Sequence, residues 1–484
     1  MNKVRNDMHK ARRMHPFWII SSIFASAKEF LVPSVMVFMI HMGSDSIIMN
    51  LVKFGLILYL IYVVISVWLH WRRFKYYFTD KELYIHEGRF IVEKRIIPLE
   101  RIQNVQQNTS FFHRIFNLTS LTLNTGASGN ESSVNLEMIT RQEAVRIQDY
   151  LNSRAGNKKE QPGEEHSADD ALRKVHYEMT WKQMMAASFT SLSLFAPALV
   201  LFALYSKIDD LFSIEGYISE MIHFFGKSWY LSAFGAAVLL AVMIFLSMGK
   251  NCIQYGLLRV TSDQQRIYIE KGVFNRTEFS ISKKKVQAIK FSQTFLQRWF
   301  GFAKVELVSA GGVGKEEIEV ASTIFPFIAK KEAWPLLSEI LPLIEFKSEM
   351  TKLPRSSLFV KLLRPSYLWI IGTIAVLYFW PLLWYISPAL LIFIVIYRIL
   401  NYFNSYYVLN GPYIQLQTGA FSTELFLTTR RKIEELEVSD SWLQRAFGLA
   451  SLKISTRAKP IHVSAISDIP KEMAIKYYKW YANR

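Results

Sequence analysis

The chain has 484 residues, 51% of them hydrophobic, a formal net charge of +17 and one cysteine, Cys252. A single cysteine excludes a disulfide scaffold and any multi-cysteine metal site. The length allows several domains, and a basic chain this apolar points to an anionic lipid surface before nucleic acid.

Residues 1–15 form a basic tail with Lys3, Arg5, Lys10, Arg12 and Arg13. It is not a cleavable signal, because the apolar run behind it is long and has no clear small-residue cleavage site. That run, 18–42, is interrupted by Lys28 and Glu29, so it either crosses a membrane or lies along its surface. Residues 51–69 carry one charge, Lys53, and 184–205 and 229–248 carry none. Each is about as long as a crossing helix needs to be. The block 367–396, with Pro381 and Pro388, reads as two helices with a tight turn near residue 385. The preferred count is six spans in three pairs (16–70, 181–250 and 366–400), and the alternative is five. Soluble segments follow at 71–152, 251–345 and 401–484. They are separated by a polar linker with an interfacial segment, 153–180, and a short linker, 346–365. Arg173, Lys174 and His176 are expected at lipid headgroups. The loops at 43–50 and near 385 lack Lys and Arg, whereas Arg72, Arg73, Lys75, Lys250, Arg259 and Arg398 flank the other ends. The positive-inside rule then puts both termini and every soluble segment in the cytoplasm.

The soluble segments align without a gap. Gly88, Gly272 and Gly419 are each followed thirteen residues on by a base, Arg101, Lys285 or Lys432. Twenty-six residues on stand Arg114, Arg298 and Arg445, and twenty-eight on stand Phe116, Phe300 and Phe447. LQRWFGF at 296–302 thus returns as LQRAFGL at 443–449 and, more loosely, as FHRIFNL at 112–118. One unit, an apolar helix pair plus a soluble lobe, is written three times.

Within a unit the pattern predicts a strand before the glycine (81–86, 266–270) and a second one after it (89–94, 273–279). The marker then forms one or two helical turns, ended by Gly301, Gly448 or Asn117 in a left-handed conformation. Further strands are expected at 120–124 and 134–137, at 304–308 and 317–320, and at 451–455 and 461–464. Closing helices are expected at 141–151, 327–337 and 470–479. The fold class is a multi-domain α+β membrane protein in which each lobe is a bent antiparallel sheet capped by a C-terminal helix.

This order, length and Arg-Phe-Gly marker resemble the bacterial pleckstrin-homology-like domain family of the second type. The resemblance implies a non-catalytic membrane scaffold whose three lobes assemble a membrane complex, linked to envelope stress or tolerance of membrane-active antimicrobial peptides. It implies as partner a smaller membrane protein with one such lobe and two transmembrane helices. Transport of an amphipathic peptide or lipid through the helices is the alternative.

The ten histidines form no HExxH, and none pairs with a carboxylate at metal-ligand spacing; SAGGVGKEE at 309–317 is a hairpin loop rather than a phosphate loop. No catalytic residue, metal or cofactor is expected. The repeated arginines either hold their lobes together or face a membrane or partner. Lys283, Lys284, Lys285 and Lys290, with Arg430, Arg431, Lys432 and Arg101, are the candidate contacts for anionic lipid or an acidic partner.

Overall fold

The computed structural model describes residues 10–26, 47–125, 133–154, 173–190, 215–309, 323–342, 344–456 and 461–483. The chain divides into two compact units, one built on residues 1–172 and one holding most of the remainder.

The first lobe runs α1 (Phe17–Ser26), α2 (Ile47–Arg73), β1 (Lys75–Phe78), β2 (Glu82–Glu87), β3 (Glu93–Pro98), a 3-10 turn (Leu99–Arg101), β4 (Ile102–Thr109), α3 (Phe111–Ile115), β5 (Leu118–Thr125), β6 (Ser133–Thr140) and α4 (Arg141–Arg154). β1, β2 and β3 form an antiparallel sheet, and β4, β5 and β6 a second ladder. Alternate side chains of these strands point inward. Phe78, Leu83, Ile85, Leu121, Leu136 and Ile147 of α4 close one core. Burying each large side chain contributes about 1.5–3 kcal/mol.

The second lobe comprises β7 (Lys174–Glu178), α5 (Trp181–Thr190), α6 (Glu215–Gly226), α7 (Trp229–Tyr255), β8 (Arg259–Ser262), β9 (Arg266–Lys271), β10 (Arg276–Ser282), a 3-10 turn (Lys283–Lys285), β11 (Val286–Gln293), α8 (Phe295–Trp299), β12 (Phe302–Ser309), β13 (Thr323–Ala329) and α9 (Lys330–Ile340). The third comprises β14 (Thr351–Lys352), α10 (Arg355–Leu363), α11 (Tyr367–Phe379), a 3-10 turn (Pro381–Leu383), α12 (Ile386–Phe403), β15 (Tyr406–Asn410), β16 (Tyr413–Gly419), β17 (Thr423–Thr429), a 3-10 turn (Arg430–Lys432), β18 (Ile433–Ser439), α13 (Trp442–Ala446), β19 (Leu449–Thr456), β20 (His462–Pro470) and α14 (Lys471–Ala482).

The repeat and its markers stand as read, but five local expectations change. The second and third lobes open with a strand that lies before their apolar helices, and the first has a single bridge in that place. β7 pairs antiparallel with β8 on the far side of α7, β14 with β15, and Arg12 bridges to Tyr76 of β1. Lys174 and His176, expected at lipid headgroups, therefore lie in β7, Lys174 opposite Ser262 and His176 at a bulge. The strand expected after the glycine begins later, at Glu93 rather than Arg89 and at Arg276 rather than Val273. The closing helix of the second lobe starts at Lys330, because Phe327 still belongs to β13. A helix, α6, occupies part of the expected loop 206–228. Finally, α11 has thirteen residues, about 20 Å of helix, against an apolar core of about 30 Å.

Among the described residues, three helical stretches are long and apolar enough to cross a membrane: Asn50–Arg73, Trp229–Tyr255 and Pro381–Phe403. Lys28, Glu29, most of the expected span 184–205 and the expected strand 317–320 lie outside the described residues.

Two successive lobes share a sheet. β11 of the second pairs antiparallel with β17 of the third, from Ala288 opposite Thr428 to Gln293 opposite Thr423. The result is seven continuous strands, β13-β12-β11-β17-β16-β15-β14.

A buried charge fixes the third lobe to the segment before its apolar helices. Asp468, fully buried in β20 with φ of 68°, lies 3.0 Å from the Arg364 guanidinium and 3.3 Å from the Lys361 Nζ. Gln444 Nε2 donates to it at 2.7 Å, and Lys361 also reaches Asn401 Oδ1 at 2.8 Å. Burial pulls the Lys361 pKa below its ordinary value, and Asp468 works against that shift.

Truncating Asp468 to alanine leaves the buried Lys361 cation without its carboxylate and the Gln444 amide without its acceptor. The expected loss is about 3–5 kcal/mol, read as a lowered thermal unfolding midpoint of the full chain in detergent. Asp440→Asn, which removes a carboxylate bound to Arg445 and Lys471 at the surface, should barely move that midpoint.

Candidate functional site

Three features recur at the end of each lobe where the apolar helices enter and leave. The first is a backbone latch. The last strand of every lobe carries a two-residue bulge, and the carbonyl of its second residue accepts a hydrogen bond from the segment just ahead of the apolar helices. His15 N donates to Met138 O at 2.9 Å, Tyr177 Oη to Phe327 O at 3.0 Å, and Ser357 Oγ to Asp468 O. A bulge frees a carbonyl from its ladder, and a buried carbonyl must find a donor.

The second feature is the loop after the aligned glycine. Gly88 and Gly419 have φ near +138°, and a Cβ there would stand 1.8 Å from Ile91 O or 2.0 Å from Ser422 O. Only glycine closes a loop this tight. It throws out an aromatic side chain two residues on. Phe90 stacks on Tyr62 of α2 at 6.5 Å, and Phe421 on Phe393 of α12 at 5.3 Å. Beside Phe274, Val273 N donates to Ile253 O of α7 at 3.4 Å. The apolar stretch 90–92 looks like strand by composition, yet it lies exposed along an apolar helix.

The marker helix is the third. Thr294 and Ser441 cap it, with Gln297 and Gln444 closing a capping box, and Ser110 accepts from His113 N in the first lobe. Asn117, Gly301 and Gly448 end it at φ of 53°, 74° and 66°. Its one buried position in the second and third lobes is the glutamine. The aromatic side chains point away from the core: Phe112 is 66% exposed, Trp299 76% and Trp442 78%. Phe116 packs on Phe17 at the start of α1, 4.2 Å between ring centres. Arg298 lies 5.8 Å over Phe295, Arg445 pairs with Asp440, and Arg114 is exposed. The repeated arginines and phenylalanines therefore form a surface rim rather than a core. Aromatic and arginine side chains together suit the depth of lipid headgroups.

Beside this rim a cleft of about 290 Å³ opens, lined by Lys250, Asn251 and Gln254 from α7 and Thr294, Gln297 and Lys304 from the lobe. Two lysines and uncharged polar groups at the end of an apolar helix suit a phosphate-bearing headgroup. Close by in the lobe, Lys271 of β9 is 3% exposed, its Nζ 5.6 Å above the Tyr255 ring. Burial, then the neighbouring Lys304, pushes its pKa down to about 7, against the pull of Glu306.

The basic candidates lie elsewhere. β17 leaves the rim at Phe421 and reaches Arg430 after seven strand residues, roughly 20–25 Å away. The turns Arg430–Lys432 and Lys283–Lys285 thus sit at the far end of their lobes. Lys432 Nζ donates to Lys284 O at 2.7 Å, which joins the two turns. Lys283 Nζ donates to Ser262 Oγ at 3.2 Å, and Arg430 reaches Trp480 O at 3.1 Å. Burial, then Arg266, lowers the Lys285 pKa. Lys284, Arg431 and Arg101 are exposed. Lys290 is engaged between lobes, 3.2 Å from Glu424 of β17 and 3.7 Å from Glu306. Of the two uses open at sequence level, this placement fits a protein partner better than the lipid surface. Sequence reasoning passed over Phe90, Phe274, Phe421, Gln297, Gln444 and Asp468. The signal was present as Gly-x-Phe in all three copies and as Ser/Thr-x-x-Gln in two. Among the described residues no three His, Cys, Asp or Glu side chains could together hold a metal ion.

Comparison with known families finds the bacterial PH domain at residues 30–155, 211–342 and 360–484. The chain is 25% identical over 492 residues to the UPF0699 transmembrane protein YdbT of Bacillus subtilis (strain 168), covering 98% of this chain and 99% of that one.

Two outcomes test the site. In a Cys252→Ser background, an environment-sensitive dye on Trp299→Cys or Trp442→Cys should be quenched by lipid-borne quenchers in vesicles. The same dye on Lys284→Cys or Arg431→Cys should answer only to water-soluble ones. For Lys271, the unfolded chain binds a proton up to about pH 10.5 and the folded chain only up to about pH 7. Its burial therefore costs stability in full below pH 7, and the cost is relieved as pH rises between 7 and 10.5, at about 1.4 kcal/mol per pH unit. Lys271→Met should raise the unfolding midpoint at pH 7 and flatten its rise toward pH 9.

Proposed function

The chain belongs to the bacterial PH domain family, and on that premise we propose that it acts as a non-catalytic membrane scaffold. Its three lobes stand on one face of a cell membrane, the cytoplasmic face by the charge bias of the loops, and assemble a complex there. The pairing of β11 with β17 supports this reading most directly. It is a lobe of this family binding another lobe through the backbone of its sheet edge, which supplies affinity without a catalytic pocket. The aromatic rims and the latches support lobes held at a fixed height on the bilayer, and the Lys250–Lys304 cleft supports anionic lipid as a further ligand.

The partner that this reading calls for is a smaller membrane protein with one such lobe and two apolar helices. Response to envelope stress, or tolerance of membrane-active antimicrobial peptides, is the process in which a scaffold of this kind would serve. The joined basic turns at the far end of the lobes offer Lys284 and Arg431 to an acidic surface of that partner.

The test is gentle purification of the full chain from native membranes, with identification of the proteins and lipids that accompany it. A small membrane protein should co-purify with the unaltered chain. The double variant Lys284→Glu, Arg431→Glu should lose it several-fold while still floating with anionic vesicles as before. Unchanged recovery of every co-purifying protein would remove the basic turns from the partner surface, and recovery of the bare chain alone would remove the scaffold reading.

A further inference from the structure

Two strands end their sheets where the repeat has a neighbour to offer. Among the described residues β18 is the last strand of β18-β19-β20, and β3 the last of β1-β2-β3. By the alignment on Gly88, Gly272 and Gly419, β18 is the counterpart of β11 and β3 the counterpart of β17. β11 and β17 are the two strands that join one lobe to the next. We infer that β18 of one chain pairs with β3 of a second copy, so that the chain associates with itself head to tail through the same edge that joins its second and third lobes.

The transferred register is specific. Ile289 opposite Leu427 becomes Leu436 opposite Ile96, and Lys290 opposite Phe426 becomes Glu437 opposite Arg95. Leu427 is 1% exposed under its partner strand, whereas Ile96, its counterpart, is 54% exposed and Leu436 is buried in its own core. Pairing covers Ile96 with Leu436. The charges match as well: β18 carries Glu434, Glu435 and Glu437, and β3 carries Lys94 and Arg95, with Glu93 falling opposite the uncharged Ser439. Opposite charges directly across a ladder contribute to its stability. Arg95 now pairs with Glu87 at 2.9 Å and Glu437 with Lys453 at 3.1 Å, each within its own lobe.

One detail marks where pairing starts. Gln287 sits in the bulge of β11, and its carbonyl takes a hydrogen bond from Thr428 of the neighbouring lobe at 2.7 Å. Its counterpart, the carbonyl of Glu434, takes one from Tyr481 Oη of α14 at 2.6 Å. The third lobe thus satisfies the bulge carbonyl itself and presents its ladder from Glu435 onward.

Membrane geometry agrees. Ser439 lies next to the marker helix and Glu93 next to the Phe90 loop, so both stand at the rim. The antiparallel register brings these two ends together. Two copies paired in this way hold their rims at one height and keep the same orientation, as one bilayer requires. A contact between unlike edges closes into a ring or continues as a row, and confinement to a membrane raises the effective concentration of copies.

The inference rests on the edge pairing that also supports the scaffold reading, so the experiment separates the two. Chains carrying Glu437→Cys and chains carrying Arg95→Cys, each in a Cys252→Ser background with its own tag, are co-expressed and oxidised in native membranes. A cross-linked dimer bearing both tags is expected, and none when Ile96→Cys, on the opposite face of the strand, replaces Arg95→Cys. Glu437→Lys should lower association of differently tagged, cysteine-free chains several-fold, and Arg95→Glu on the second copy should restore it. Equal cross-linking at 95 and 96 would overturn the inference, as would no dimer from chains that float and melt normally. So would a 437 cross-link to a one-lobe protein in place of a second copy. That last outcome leaves the scaffold reading standing, whereas a dimer with no other co-purifying protein supports the inference and counts against the scaffold reading.

Discussion

A segment that comes before the apolar helices pairs with the strand that comes after them, as a strand in the second and third lobes and as the single Arg12–Tyr76 bridge in the first, and the rest of each lobe depends on that pairing. In the second lobe β7 lies beside β8, with α5, α6 and α7 between them in sequence. The apolar helices are thus an insert in a β-hairpin, and not a leash on a finished domain. The latch carbonyls of Met138, Phe327 and Asp468 reinforce the entry strand, and the glycine loops bearing Phe90, Phe274 and Phe421 meet the helix on its way out. Both ends of the insert are bound to the same lobe, which fixes the lobe on its helices without a flexible tether.

This arrangement gives each lobe two chemically different ends. The rim near the helices carries Phe112, Trp299 and Trp442 exposed on helices of five residues, whose caps are internally satisfied. The far end carries the 3-10 turns with Arg101, Lys284 and Arg431. Strands about seven residues long separate the two. The proposed scaffold assigns the apolar rim to lipid and the basic turn, roughly 20 Å above it, to a partner that reaches over the lobe.

The repeat was legible because it is carried by residues with no substitute. A loop that crowds its own backbone needs Gly88 and Gly419, the positive φ of 97° at Gly272 favours glycine, and a left-handed helix end needs Asn117, Gly301 or Gly448. These fall at fixed offsets that an alignment finds at once. The entry strands did not show, because Lys174–Glu178 and Thr351–Lys352 are short and polar, with partners beyond the helices. A local pattern reads such a stretch as linker. Phe90, Ile91 and Val92 read as strand because aromatic and β-branched residues look alike whether they face a core or a lipid tail. The basic turns read as lipid contacts as readily as protein contacts, since a sequence gives a charge but not the end of the lobe it occupies. Lys290 is the sharpest case: it reads as a surface base, and the fold spends it on Glu424 of the next lobe.

The hairpin insert also orders events at the ribosome. β7 leaves the exit tunnel first, and its partner β8 follows only after the 80 residues between Glu178 and Arg259 have been made. At about 5–20 residues per second this takes roughly 4–16 seconds. On the scaffold reading, the translocon must in that interval place α7 and return the chain to the side where β7 waits. A lobe whose helices were left in the wrong topology would lack its first strand, expose the edge of β8 and become a target for quality-control proteases. Completion of the second and third lobes is on that reading a built-in check that the preceding insertion succeeded.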